Sequence, residues 1–310
     1  MSFLSVNQVS KQYDDHIALS EVSFEVPRKS IFGLLGPNGA GKTSLIRIIN
    51  RITAPDSGMV SLKGKDLSLT DTSLIGYLPE ERGLYKKMKV GEQALYLSML
   101  KGMDKHDAIV ELRKWFEKLN LEGWWNKPVE DLSKGMAQKL QFIVTVVHRP
   151  KLLILDEPFS GFDPINTRLI KEEILKLNRK GTTVIFSTHN MESVEEICDR
   201  IALINKSKKI LEGSLGEIKQ NFTANKIRLQ FKGNMIAFTN AMWTGCELLS
   251  SSGEKNINTV EIKLRGEVTK QQMLQAVLPH IELISMNDVV PSMNDIFIEA
   301  VDQYNQQGNE

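Results

Sequence analysis

The sequence predicts an α/β fold, and three observations predict it. Short apolar strand-like runs alternate with amphipathic helical stretches. One Gly-rich segment, Gly36-Pro37-Asn38-Gly39-Ala40-Gly41-Lys42-Thr43, lies between such a strand and such a helix, and a single helical block interrupts the alternation. Strands separated by helices pair in parallel and need cover on both faces, so the expected core is a sheet with helices on either side.

From Phe3 to Leu35 the runs FLSVNQV, IALSEVSFEV and IFGLL read as strands broken by polar turns such as Tyr13-Asp14-Asp15. Ser44 to Ile52 reads as a helix with Leu45, Ile46, Ile48 and Ile49 on its apolar face. ITAPDSGMVSLKGKDL reads as a Pro-Gly turn and a short strand. Helical periodicity then takes over from about Val90 to His148, in segments Glu92 to Leu100, His106 to Leu119 and Ala137 to Val147. The alternation resumes with KLLILD, a helix from Asn166 to Asn178, TTVIFST, a helix from Met191 to Asp199 and strands near Ile201 and Lys209.

Ser214 and Glu217 match a capping box that opens a short helix ending near Phe222. Beyond it, KIRLQF, a helix at Ile236 to Met242, CELLSSS, NTVEIKL, a helix at Thr269 to Val277, IELISM and a helix at Asp295 to Tyr304 fit a small βαββαβ unit. The expected organisation is a main domain over 1–212 with its helical part at about 88–150, a linker helix over 213–225, an α+β accessory domain over 226–304 and a frayed tail over 305–310.

The 310 residues are 41% hydrophobic and 25% charged, enough apolar material for one large core or two smaller ones. Thirty-nine Lys and Arg against 38 Asp and Glu leave a net charge of +1. No global field draws the chain to nucleic acid, which is not expected as a partner. Cys198 and Cys246 have no CxxC spacing and read as buried, inert thiols in a reducing compartment. The N-terminus reads as a strand instead of a signal peptide, and the sequence contains no apolar run of about 18 residues or more, so any membrane role is expected through a partner.

Gly36 to Thr43 fits the G-x-x-x-x-G-K-[ST] pattern in the context that the pattern needs. Its glycines let backbone N–H groups approach phosphate, the helix N-terminus adds positive potential, Lys42 can reach the β and γ phosphates, and the Thr43 hydroxyl can bind Mg²⁺. Ser44 continues the helix's first turn. LLILDEP ends an apolar strand in Asp156 and Glu157, a pair that can divide Mg²⁺ binding from activation of an attacking water. His189 follows TTVIFST, at the C-terminal strand edge where open α/β sheets bind ligands.

In this order the motifs resemble those of the ATP-binding cassette (ABC) family, over about Phe3 to Glu212. The resemblance implies a P-loop NTPase cassette with a mixed sheet core and a helical subdomain, ATP and Mg²⁺ as cofactors, and ATP hydrolysis. Tyr13 matches the aromatic residue that stacks on adenine, Gly36 to Thr43 the Walker A loop, and Glu80 the Q-loop glutamine. Leu132-Ser133-Lys134-Gly135-Met136 matches the signature motif, Asp156 and Glu157 Walker B and the general base, Ser160-Gly161-Phe162-Asp163 the D-loop, and His189 the switch histidine. A head-to-tail dimer of cassettes is implied, with Ser133 and Gly135 of one chain facing the ATP held by the Walker A loop of the other.

Two departures stand out. Lys134 and Met136 occupy positions commonly Gly and Gln. Lys134 has two readings, added charge for phosphate or a solvated side chain, and Met136 removes a polar partner. Glu80 replaces an amide with a carboxylate that only accepts hydrogen bonds. It reads either as an Mg²⁺ ligand, direct or through water, or as a solvated acid paired with Arg82.

The resemblance further implies integral membrane permease subunits as partners, with the chain cytoplasmic and peripheral on the inner face of the cell membrane. PEERGLY occupies the family's docking region, where Leu84 and Tyr85 read either as the contact or as packing within the helical part. YLPEERGLY, LSKGM and PSMNDIFIEAV together are similar to bacterial export-type cassettes of the sodium-efflux, drug-efflux and gliding-motility groups. Cassette ATPases that act on DNA or ribosomes form the alternative, opposed by the absence of sustained heptads, a second P-loop or a basic excess. A nucleotide-binding module without turnover is opposed by Glu157.

Overall fold

The computed structural model describes residues 2–81, 83–223, 226–242, 245–254, 256–266 and 268–307. They form two compact units, one of the residues up to Leu215 and those from Gln303 onward, the other comprising Gly216–Asp302.

In the first unit, β1 (Ser2–Tyr13) and β2 (His16–Pro27) form a long antiparallel pair that turns at Asp14-Asp15. β3 (Ile31–Leu35) is buried along its whole length and leads through the Gly-rich loop into α1 (Lys42–Ile49). That helix ends earlier than its periodicity predicts, because the Asn50 side chain donates to the Ile46 carbonyl at 2.9 Å and Arg51 turns into left-handed backbone. Ile52 is left exposed.

β4 (Ser57–Leu62) and β5 (Lys65–Asp66) extend the first hairpin into an antiparallel sheet of order β2-β1-β4-β5. A second sheet begins with β6 (Ile75–Leu78). The helical block follows as α2 (Val90–Leu100), α3 (Lys105–Lys118) and α4 (Lys134–Val146). Its aromatic core has Trp115 edge-on to Phe142 at 6.0 Å and Phe116 edge-on to Trp125 at 5.0 Å.

β7 (Leu152–Asp156), α5 (Pro164–Arg179), β8 (Thr183–Ser187), α6 (Met191–Ile197), β9 (Arg200–Asn205) and β10 (Lys208–Ser214) complete the unit. The second sheet has the order β10-β9-β3-β8-β7-β6, parallel from β9 through β6 with β10 antiparallel at its edge. The four apolar residues of α1 predicted to face the core lie in one cluster with residues of both sheets, including the stacked rings of Phe24 and Phe32. The uninterrupted apolar runs of β3, β7 and β8 match strands buried on both faces.

α7 (Leu215–Thr223) leads into the second unit, which continues as β11 (Lys226–Gly233), α8 (Met235–Ala241), β12 (Cys246–Glu254), β13 (Ile257–Leu264), α9 (Lys270–Val277), β14 (Ile281–Asp288) and α10 (Met293–Gln307). The antiparallel order β12-β13-β11-β14 is that of a split βαβ sheet. One face packs Ile227, Leu229, Phe231, Val260 and Ile262 against Phe238, Met273 and Val277. α10 runs to Gln307, past position 305 where fraying is expected, and 308–310 fall outside the described residues. Cys198 is buried and its thiol is pushed up by burial, whereas Cys246 is only partly buried. No helix among the described residues is long and apolar enough to cross a membrane.

Candidate functional site

Four neighbouring parallel strands end on one edge of the second sheet. β3 delivers the Gly-rich loop, β6 leads to Glu80, β7 ends in Asp156 and Glu157, and β8 precedes Thr188 and His189. The strand order brings these separate stretches of sequence to one place.

The Gly-rich loop is shaped by two glycines in particular. A Cβ on Gly36 (φ +151) would stand 2.2 Å from the Ile204 carbonyl oxygen, and one on Gly41 (φ +112) 2.2 Å from that of Ala18. Only glycine fits the close backbone approach and the positive φ together. Lys42 is folded back under the loop, donating to the carbonyls of Gly36 at 2.7 Å and Pro37 at 3.0 Å. α1 has no acidic residue in its first turn, so no acid of the helix itself offsets the positive potential at the N-terminal amides of Lys42, Thr43 and Ser44.

Around this loop lies a cavity of about 380 Å³. Tyr13, Asn38, Gly39, Gly41, Lys42, Thr43, Ser44, Glu80, Asp156, Glu157 and His189 border it, so most of the predicted site is assembled within one chain. Ala40 is buried beneath the loop. His16 and Ala18 of β2 also border the cavity. Sequence reasoning missed both; the signal was the tight turn that pairs His16 with Tyr13 across the hairpin.

The acids carry the chemistry. Asp156 is 3% exposed, and its carboxyl is pushed up chiefly by burial, with Glu80 and Glu157 acting in the same direction and Lys42 opposing. Burial lowers the Lys42 ammonium from its ordinary value, opposed by Glu157, Asp156 and Glu80. Glu157 sits in left-handed backbone (φ 46), with its N–H donated to the Ser187 carbonyl at 2.9 Å. One carboxylate oxygen, Oε1, accepts the His189 backbone N–H at 2.9 Å and lies 2.7 Å from His189 Nδ1. The other, Oε2, accepts the Thr188 hydroxyl at 3.1 Å. Thr188 is a third residue that sequence reasoning missed, although it adjoins His189.

The donor set fits a divalent cation that shares its coordination with phosphate and water. Thr43 Oγ1 lies 3.4 Å from Asp156 Oδ2, and Glu80 borders the same cavity. Among the described residues no cluster of three or more His, Cys, Asp or Glu forms a separate metal cage. Mg²⁺ is ordinarily held by one or two carboxylates beside phosphates. The pairing of Glu80 with Arg82 lies outside the described residues.

Ser133, Gly135 and Asp163 do not border the cavity. α4 begins at Lys134 instead of Ala137, because Ser133 caps it by accepting the Met136 N–H at 3.3 Å, and Gly135 lies in its first turn. Asp163 caps α5 by accepting the Asn166 N–H at 2.9 Å. Lys134 is exposed, as its solvated reading expects, and its aliphatic tail also lies against Gly161.

A phosphate-cradling loop on a doubly covered parallel sheet, with an acid pair and a histidine on adjacent strand ends, defines a P-loop nucleotide-binding cassette. The comparisons are specific. The ABC transporter family model matches residues 19–160, and the model for the C-terminal domain of ATP-binding proteins like DrrA1-3 matches 213–301. The ABC transporter ATP-binding protein YhaQ of Bacillus subtilis is 39% identical over 302 residues, covering 96% of this chain and 98% of the relative. The Nod factor export ATP-binding protein I of Rhizobium etli is 35% identical over 216 residues, covering 69% and 68%. A solved structure of the ATP binding subunit of an ABC transporter matches with a TM-score of 0.67 at 28% identity, covering 71% of this chain and 93% of that one. The chain belongs to the family of ABC transporter ATP-binding proteins.

Proposed function

We propose that this chain is the Mg²⁺-dependent ATP-hydrolysing subunit of an exporter, working as a head-to-tail dimer on separate permease subunits. The observation that carries the reading is the convergence of Lys42, Thr43, Asp156, Glu157 and His189 on one cavity. In this reading the main cassette is 1–212, 213–225 links it to an accessory domain at 226–304, and the chain is peripheral on the inner membrane face through its permease.

The residues divide the work. Tyr13 stacks on adenine, the loop amides and Lys42 hold the β and γ phosphates, and Glu157 takes the proton of the attacking water. Thr188 and His189 fix the Glu157 carboxylate by hydrogen bonds to both oxygens. Thr43, Asp156 and Glu80 would hold Mg²⁺, which supplies charge neutralisation at the phosphates.

Ser133 and Gly135 stand at the start of a 13-residue helix, outside their own chain's cavity. A second chain's γ phosphate would find there a hydroxyl, a backbone N–H and the positive end of the helix dipole. ATP then holds the two cassettes together, and hydrolysis releases them.

An apolar groove of about 240 Å³ bordered by Pro79, Leu84, Leu97, Leu100 and Val144 supports docking of a permease helix beside the Glu80 loop. Tyr85, 56% exposed, extends the apolar surface. Similarity to a Nod factor export protein supports the direction of transport. Purification from membranes in mild detergent tests the reading: a membrane-spanning protein should accompany the chain, and a ribosome or DNA in its place would overturn it.

A further inference from the structure

Signature and D-loop residues are in direct contact within this one chain, and the contact uses the side chain at which the signature motif departs from its usual glycine. A Cβ on Gly161 (φ +81) would stand 2.6 Å from Lys134 Cε and 2.9 Å from its Nζ, so the lysine tail covers the bare α-carbon. One helical turn on, Gln138 Nε2 donates to the Ser160 carbonyl. Gln138 Oε1 is buried without a hydrogen-bond partner, so no competing bond holds the amide elsewhere.

The D-loop is tied in turn to the catalytic acid. The Ser160 N–H donates to the Glu157 carbonyl at 3.1 Å, and the Phe162 N–H to that of Phe159 at 3.2 Å. Phe159 packs on Phe186 of β8 with ring centroids 5.4 Å apart. A shift of Ser160 and Gly161 would therefore be felt by the backbone of Glu157.

We propose that Lys134 and Gln138 form a latch from the signature helix to the D-loop, through which ATP bound at one site of the dimer positions Glu157 of the other. The inference rests on the head-to-tail dimer proposed above. In that dimer Ser133 and Gly135 grip the partner's γ phosphate, and a movement of the first turn of α4 carries Lys134 and Gln138 with it. Ser160 and Gly161 follow, and Glu157 of the same chain moves towards its own water. Lys134 and Gln138 are positioning residues that touch no reacting atom. A glycine at 134 has no side chain to reach Gly161.

The test measures steady-state hydrolysis by the full chain against ATP concentration in wild type, Lys134→Gly, Lys134→Met and Gln138→Ala. The dimer is followed by light scattering of Glu157→Gln with ATP, alone and combined with each change. With two coupled sites the wild-type Hill coefficient should approach about 2. It should fall towards about 1 in Lys134→Gly and Gln138→Ala, and stay near wild type in Lys134→Met, which keeps the aliphatic tail and loses the charge. If Lys134→Met falls with Lys134→Gly and both need more ATP for half-saturation, the lysine serves phosphate by charge and the latch is wrong. A wild-type coefficient of one, or one unchanged in Lys134→Gly while the ATP-dependent dimer persists, overturns the latch and leaves the dimer standing. Absence of any ATP-dependent dimer removes both.

Discussion

His189 Nδ1 lies 2.7 Å from Glu157 Oε1, and the backbone N–H of the same histidine donates to that oxygen at 2.9 Å. The two residues come from different strand ends, 32 positions apart in sequence. Parallel pairing of Leu155 with Phe186 and of Asp156 with Ser187 brings them together. With Nδ1–H given to Glu157, the histidine is held by two bonds to one acid, its ring fixed beside the nucleotide cavity. Glu157 is thereby fixed in direction as well as position.

Replacing Glu157 by Gln should remove the base while keeping the side chain's size. Steady-state hydrolysis is expected to fall by at least about 100-fold, the usual loss when a general base is deleted. ATP binding and the ATP-dependent dimer should persist, because the phosphate cradle is built from Lys42 and loop amides. Near-normal turnover measured by phosphate release would remove Glu157 from its role.

Glu80→Gln tests the metal reading. The carboxylate borders the cavity and acts electrostatically on Asp156 and Lys42, adding negative charge where a cation would sit. Its neutralisation should raise the Mg²⁺ concentration for half-maximal hydrolysis severalfold. An unchanged Mg²⁺ titration would mean that Glu80 is a solvated acid.

The phosphate loop was legible because its strand, glycines, lysine and helix are contiguous, and the order of motifs supplied the family. The bond between Glu157 and His189 was not, since strand neighbours are chosen by tertiary pairing that no local pattern records. Glu157's left-handed φ is likewise imposed by the exit from β7, at a residue type that rarely adopts it. The exposure of Lys134 fits its solvent reading, but its contact with Gly161, 27 positions away in sequence, leaves no local signal. Apolar periodicity placed the start of α4 at Ala137, but the Ser133 cap sets it at Lys134.

His148 should make the fold acid-labile. Burial lowers its pKa from 6.5 to about 4, with the Lys101 ammonium acting in the same direction and a hydrogen bond to the Ile75 backbone opposing. The unfolded chain therefore binds the proton more readily than the folded one. The neutral ring's contribution is fully present above pH 6.5 and is lost as pH falls towards 4, by about 3 kcal/mol at most. Urea unfolding midpoints of the wild type should drop across that window more steeply than those of His148→Gln. Parallel pH profiles would show that His148 protonates as easily folded as unfolded.

Leu84→Asp addresses the partner. Leu84 borders the apolar groove with Leu97, Leu100 and Val144, while Tyr85 beside it is exposed. If the groove receives an apolar helix, a carboxylate there must be desolvated beside a lysine, Lys101, that already donates to the Thr72 and Ile75 carbonyls, which costs several kcal/mol. Co-purification of the spanning subunit in mild detergent should fall at least about tenfold, the effect of roughly 1.4 kcal/mol. Tyr85→Ala should weaken it less, since a rim contact is only partly buried on docking. The thermal melt of Leu84→Asp serves as the control, because Leu84 is already half-buried in the free chain. Full recovery of the spanning subunit with a lowered melting temperature would assign Leu84 to packing within the helical block.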